Sequence, residues 1–133
     1  MPRSGPARMS CTGYGLLLAF GLAHPAWSDD MARGRALFET CTACHSRAPE
    51  QVGMAGPNLA SLNGRLVGSD RDFDYSPALR SARAQGAVWD GPRLAAFLAD
   101  PEEMFPGLWM SSPGVRSVED RTALAAYLMS PEP

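Results

Sequence analysis

Two cysteines and a histidine fall within five consecutive positions, Cys41-Thr42-Ala43-Cys44-His45. The first 28 residues read as removable on grounds given below, and without them no other cysteine or histidine is left in the chain. Four chemistries use such residues. A redox-active dithiol of the thioredoxin kind needs a strand before it and a helix opening at the first cysteine, whereas here a helical pattern ends at the motif. Structural zinc needs four ligands, and three are available. An iron–sulfur cluster needs four cysteines in most cases, and two are available. The spacing C-x-x-C-H suits covalent haem attachment: two thiols reach the two vinyl groups on one porphyrin edge, and the next side chain sets its imidazole beneath the iron.

The elements around the motif must position it. Asp29 and Asp30 are expected to cap a first helix running through Met31, Leu37 and Phe38 to Thr40, their charge favourable to the helix dipole. From Ser46 to about Ser76 the chain is rich in glycine and polar residues, which predicts a long loop wrapped around something. Ser76-Pro77 and Asp90-Gly91-Pro92 signal the starts of two short helices, the second running through Ala99 and stopped by Pro101. Ser117 to Asp120 has capping-box spacing, with Asp in place of Glu, ahead of a last helix from Thr122 to Met129. No alternating strand pattern or repeat is present, so the expected class is all-α. Four short helices and some 40 residues of loop, roughly counted, make a thin core without disulfides. A buried haem would supply the apolar plate they pack on.

The chain has 133 residues and 12 basic side chains, all arginine, against 14 carboxylates. That is room for one domain, and no basic patch points to nucleic acid. Residues 1–28 carry Arg3 and Arg8 ahead of an apolar run from Gly13 to Ala23, then Ala26-Trp27-Ser28, the pattern of a cleaved signal peptide. The run is about half the roughly 20 residues a membrane span needs. Cleavage leaves a domain over 29–133 with 10 arginines against 14 carboxylates, a formal charge of −4.

The domain resembles a class I cytochrome c of the bacterial and mitochondrial subgroup. The resemblance rests on Gly34-x-x-x-Phe38-x-x-Cys41, Gly56-Pro57-Asn58-Leu59, Gly64-Arg65 with Gly68, Phe73 and Tyr75, on Trp89 ahead of a helix, on Asp100-Pro101 and Pro106-Gly107-Leu108-Trp109-Met110, and on Leu124 to Leu128 with Tyr127. It implies the cytochrome c fold around one haem c, joined to Cys41 and Cys44, with His45 as proximal ligand donating to the Pro57 carbonyl. It implies Met110 as distal ligand, ahead of Met31, Met54, Met104 and Met129, and Arg65, Tyr75 and Trp89 as donors to the haem propionates. Three positions depart from the family pattern. Phe97 stands where many members have a tyrosine near the methionine sulfur, Leu108 where a threonine often serves a propionate, and Ser112 where an aromatic commonly covers the haem edge. Extra sequence leaves residues 76–88 without a secure match.

The implied function is that of a periplasmic single-electron carrier, monomeric and not an enzyme. It would link a respiratory or photosynthetic donor, such as a quinol-oxidising complex or a dehydrogenase, to an oxidase or other reductase. Family members that dock through lysines have no counterpart here, so a docking face that is neutral or dotted with arginine is expected, with Arg47, Arg93, Arg116 and Trp109 as contributors. Two other functions stay open: a dedicated subunit of one dehydrogenase, and a peroxidase-like or ligand-sensing haem protein with a labile methionine.

Overall fold

In this computed structural model, residues 1, 2, 5 and 26–132 are described. The expected signal segment lies almost wholly outside them. Five helices follow in order: α1 Ala26–Phe38, α2 Pro77–Ala84, α3 Gly91–Ala99, α4 Pro101–Met104 and α5 Val118–Met129. Among the described residues the one extended pairing is an isolated antiparallel bridge between Leu66 and Val88. The all-α expectation holds.

The frame is the crossing of α1 and α5. Gly34 faces α5 so closely that a Cβ there would stand 2.2 Å from the Ala123 carbonyl oxygen and 2.6 Å from the Tyr127 Cβ. Only glycine permits that approach. Arg33 on α1 then pairs with Asp120 on α5 at 2.6 Å, and the Phe38 and Tyr127 rings meet at 5.7 Å. Phe38, Leu94, Phe97, Leu124 and Leu128 are buried together with Val67 and Trp89 from the loops.

Several helix ends differ from expectation. α1 starts at Ala26, so Asp29 lies inside its first turn and caps nothing, though it still meets the positive end of the helix dipole. The helix tightens into a 3-10 turn over Glu39–Cys41. Pro101 does stop α3, but it also opens α4, because a proline is tolerated in the first turn. Asp100 caps α4 by accepting the Glu103 N–H at 3.0 Å, as Asp90 caps α3 by accepting from Arg93 at 2.7 Å. Only half of the capping box at Ser117 forms. Its Oγ accepts the Asp120 N–H at 3.1 Å, while the Asp120 carboxylate turns away to Arg33.

Candidate functional site

The 3-10 turn brings the pentapeptide into one tight coil, in which Cys44 N–H and His45 N–H both donate to the Cys41 carbonyl, at 3.1 and 2.9 Å. Neither Cys41 nor Cys44 is in a disulfide. Cys41 packs against the core and Cys44 is exposed. His45 Nδ1 lies 2.9 Å from the Pro57 carbonyl oxygen. Since a carbonyl only accepts, Nδ1 carries the proton and Nε2 keeps its lone pair for a metal. Gly56 lies against the ring: a Cβ there would sit 2.5 Å from His45 Cε1 and 2.7 Å from Nδ1. Gly56 is itself held by its N–H to the Cys44 carbonyl at 2.8 Å.

Arg65, Tyr75 and Trp89 come together from three parts of the chain. Arg65 spans the Ala60 and Asn58 carbonyls at 2.8 and 2.7 Å, and its Nε is buried without a partner. Its backbone carbonyl takes the Trp89 N–H at 2.8 Å. The Tyr75 hydroxyl accepts the Asp70 N–H at 3.3 Å, so its own proton remains to be donated. Burial pushes the Tyr75 pKa up, opposed by that Asp70 N–H and by the nearby charge of Arg65. Beside it Ser76 is 1% exposed and its Oγ has no partner. The Ser76 side chain does not make the helix-cap bond that its position predicts. Burying donors without acceptors is costly. Arg65 Nε, close enough for its charge to act on Tyr75, and Ser76 Oγ, on the next residue, are such orphans and fit a buried anion; Arg47 Nε is a third, on the Tyr127 side.

Met110 is half-buried and packs against the core, as do Met104 and Met129. Met54 instead borders, with His45 and Arg47, an open cavity of about 340 Å³. Phe97 is buried, its ring 5.2 Å from that of Trp89 and 6.0 Å from that of Phe105, so the position without a hydroxyl is used for packing. Leu108 packs on the core and Ser112 is exposed.

Arg47 is a correction. It is 7% exposed and lies over the Tyr127 ring at 4.3 Å, with one terminal nitrogen donating to the Ser130 carbonyl and 3.8 Å from Glu132. A guanidinium buried in this way cannot contribute to a docking face. Arg93 is half-buried and tied back to the Val88 carbonyl at 2.6 Å. Arg116 and Trp109 are exposed, as expected.

Residues 31–131 match the family model described as Cytochrome c. The chain belongs to the cytochrome c family. It is 37% identical over 100 residues to a cytochrome c2 from Agrobacterium tumefaciens (strain II Chrys), covering 75% of this chain and 90% of that one. It is 35% identical to cytochrome c-550 from Ancylobacter novellus over 97 residues, 73% and 91% of the two chains. Among solved structures it is similar to cytochrome cH from Methylobacterium extorquens, with a TM-score of 0.66 and 32% identity over 74% of this chain and 96% of that one. As a member of this family the chain carries one covalently bound haem c. The residues present fit that group. Two cysteines outside any disulfide precede an imidazole with an available Nε2, and buried unpartnered donors on Arg65 and Ser76 suit haem carboxylates.

Proposed function

We propose that this cytochrome c is a diffusible single-electron carrier of the periplasm, with His45 and Met110 as the two axial ligands of its haem. The observation that carries the reading is the His45 imidazole, fixed by the Pro57 carbonyl in the tautomer that frees Nε2, one residue after the second of two cysteines outside any disulfide. When bound, the haem supplies one-electron Fe(III)/Fe(II) chemistry. Cys41 and Cys44 hold it by thioether bonds. Arg65 would offset the charge of its propionates, and the Tyr75 and Ser76 hydroxyls and the Trp89 indole would donate hydrogen bonds to them, since such carboxylates are expensive to bury unpaired. Met110 would supply the second protein ligand, leaving no open position for a substrate, and a methionine ligand raises the reduction potential.

Export would proceed through residues 1–28, and among the described residues no helix is long and apolar enough to cross a membrane. The donor would be a quinol-oxidising complex or a dehydrogenase and the acceptor an oxidase or other reductase. Steering by charge is weak in this reading, because residues 104–115 contain no charged side chain, Trp109 stands 59% exposed among them, and Arg80, 5.9 Å from its ring, is paired with Asp74.

A second reading has a specific observation behind it. Phe97 offers no hydroxyl to hold a methionine sulfur, and Ser111, Ser112 and Pro113 are all exposed, so a readily lost Met110 would make a ligand-binding haem protein. The weak iron–sulfur charge-transfer band of the ferric protein separates the two. The carrier shows it, Met110→Ala abolishes it, and Met54→Ala and Met104→Ala keep it. A wild-type protein without the band overturns the His/Met assignment.

A further inference from the structure

The segment that carries Met110 has no regular structure, yet it is pinned at both ends. At the far end Gly114 lies against α3, where a Cβ would stand 2.3 Å from the Ala99 carbonyl oxygen, and Val115 N–H donates to the Leu98 carbonyl at 2.7 Å. At the near end the pin is a side chain. Glu102, in the first turn of α4, accepts the Gly107 N–H on Oε1 at 2.8 Å and the Leu108 N–H on Oε2 at 3.2 Å. Each oxygen takes one of two successive amides, and Met110 follows two residues later.

We propose that Glu102 is a positioning residue for the distal methionine, its carboxylate clamping the turn that delivers Met110. This rests on the reading of Met110 as the axial ligand. Gly107 has φ +81°, a left-handed conformation that turns its N–H and the next one toward the same acceptor. Hydrogen bonds to an ionised acceptor are stronger than neutral ones. α4 is four residues long and Asp100 caps it, so the short helix presents Glu102 from a fixed base to a turn with few other restraints. Leu108 N–H also reaches the Phe105 carbonyl at 3.1 Å. The Gly107 N–H has Glu102 as its acceptor. A looser turn gives the methionine more freedom to leave, and an added ligand competes better for its place.

The neighbouring Glu103 is the control. It lies in the same first turn of α4, and its carboxylate makes no hydrogen bond to the methionine segment. Replacing either residue by alanine removes one negative charge from the same short helix. Two readouts on the haem-loaded protein are expected to separate them. Exogenous imidazole should bind the ferric protein about fivefold more tightly in Glu102→Ala, equivalent to ~1 kcal/mol, and within about 1.5-fold of wild type in Glu103→Ala. The factor is modest because the carboxylate is solvent-exposed. Amide hydrogen exchange at Gly107 and Leu108 should quicken only in Glu102→Ala. Glu102→Gln, which keeps one acceptor oxygen, should recover part of both effects.

Equal imidazole affinities and equal exchange in the two alanine variants overturn the clamp. If wild type has no iron–sulfur band, the ligand assignment has failed and the clamp falls with it. A wild-type band that Met110→Ala abolishes, together with an unaltered Glu102→Ala, refutes the clamp alone.

Discussion

Gly56→Ala tests the proximal side of the site with one methyl group. The backbone at 56 is outside the left-handed region, so alanine is conformationally acceptable there and the effect is steric. The new Cβ would meet His45 Cε1 at 2.5 Å, whereas carbon atoms in contact settle at about 3.5–4.0 Å. The ring must retreat by about 1 Å. Its Nδ1 now stands 2.9 Å from the Pro57 oxygen, and a retreat of that size takes the pair beyond hydrogen-bonding distance. A neutral hydrogen bond of this kind is worth about 0.5–1.5 kcal/mol. It also makes the ligand nitrogen more basic, which favours the more positive ferric state. Losing it should raise the reduction potential by about 20–65 mV, taking ~2.3 kcal/mol per 100 mV for one charge. The measurement is a spectroelectrochemical titration beside Gly91→Ala, where an added Cβ meets nothing within 4 Å. An unchanged or lowered potential in Gly56→Ala, with the iron–sulfur band intact, would refute the argument that the Pro57 carbonyl tunes this imidazole.

Gly34→Ala should separate α1 from α5. The overpacking costs about 1–3 kcal/mol and exceeds the ~1 kcal/mol gain in helix propensity, so a thermal midpoint equal to or above wild type would show the crossing to be slack. Tyr75 gives a pH effect. Its folded pKa is raised by burial, so its contribution to stability is complete below the unfolded value of about 10 and is lost as pH climbs from there through the folded value. Denaturation midpoints measured upward from about pH 9 should therefore fall less steeply in Tyr75→Phe than in wild type, and parallel curves would contradict this. Oxidation by candidate acceptors should depend weakly on salt and slow several-fold in Trp109→Ala, since residues 104–115 carry no charge and Arg80, 5.9 Å from the Trp109 ring, is paired with Asp74. A steep salt dependence with no effect of Trp109→Ala would reverse that view.

Local chemistry was legible in the sequence wherever a signal needs only its neighbours. Asp90 and Ser117 cap the helices they precede and Pro77 opens α2, whereas the His45 to Pro57 bond follows from the family resemblance rather than from neighbouring residues. The readings that failed depend on distant partners. Arg47 looked like a solvated arginine, and only the fold brings Tyr127, Ser130 and Glu132 around it. Asp120 looked like half of a capping box until α1 supplied Arg33. Ser76 has the right residue type for a cap, and its burial beside Tyr75 is a tertiary fact. One signal was available and unused: Asp100-Pro101 has the same cap-then-proline form as Ser76-Pro77, so α4 was predictable by the same rule.

What holds the site is mostly side chain bound to backbone, because the loops around the pentapeptide have few ladders of their own. Asn58 Nδ2 donates to the Ala48 and Gln51 carbonyls at 2.7 and 2.9 Å and its Oδ1 accepts the Ala60 N–H at 2.7 Å. The Asp70 carboxylate accepts the Asn58 N–H at 2.8 Å, and Arg65 ties the Asn58 and Ala60 carbonyls. Glu102 does the same for the turn before Met110. Loop backbone groups without a ladder need other partners, and here single side chains supply them for two or three peptide groups at once, most of them exposed or half-buried. Loss of any one of them therefore leaves several unsatisfied groups together, so the loops should fail cooperatively around Asn58 and locally around Glu102. Arg65 links the loop to the proposed propionate site, with its terminal nitrogens holding the loop while its Nε is buried without a protein partner. In the proposed reading, folding of that loop and binding of the propionates thus draw on one side chain.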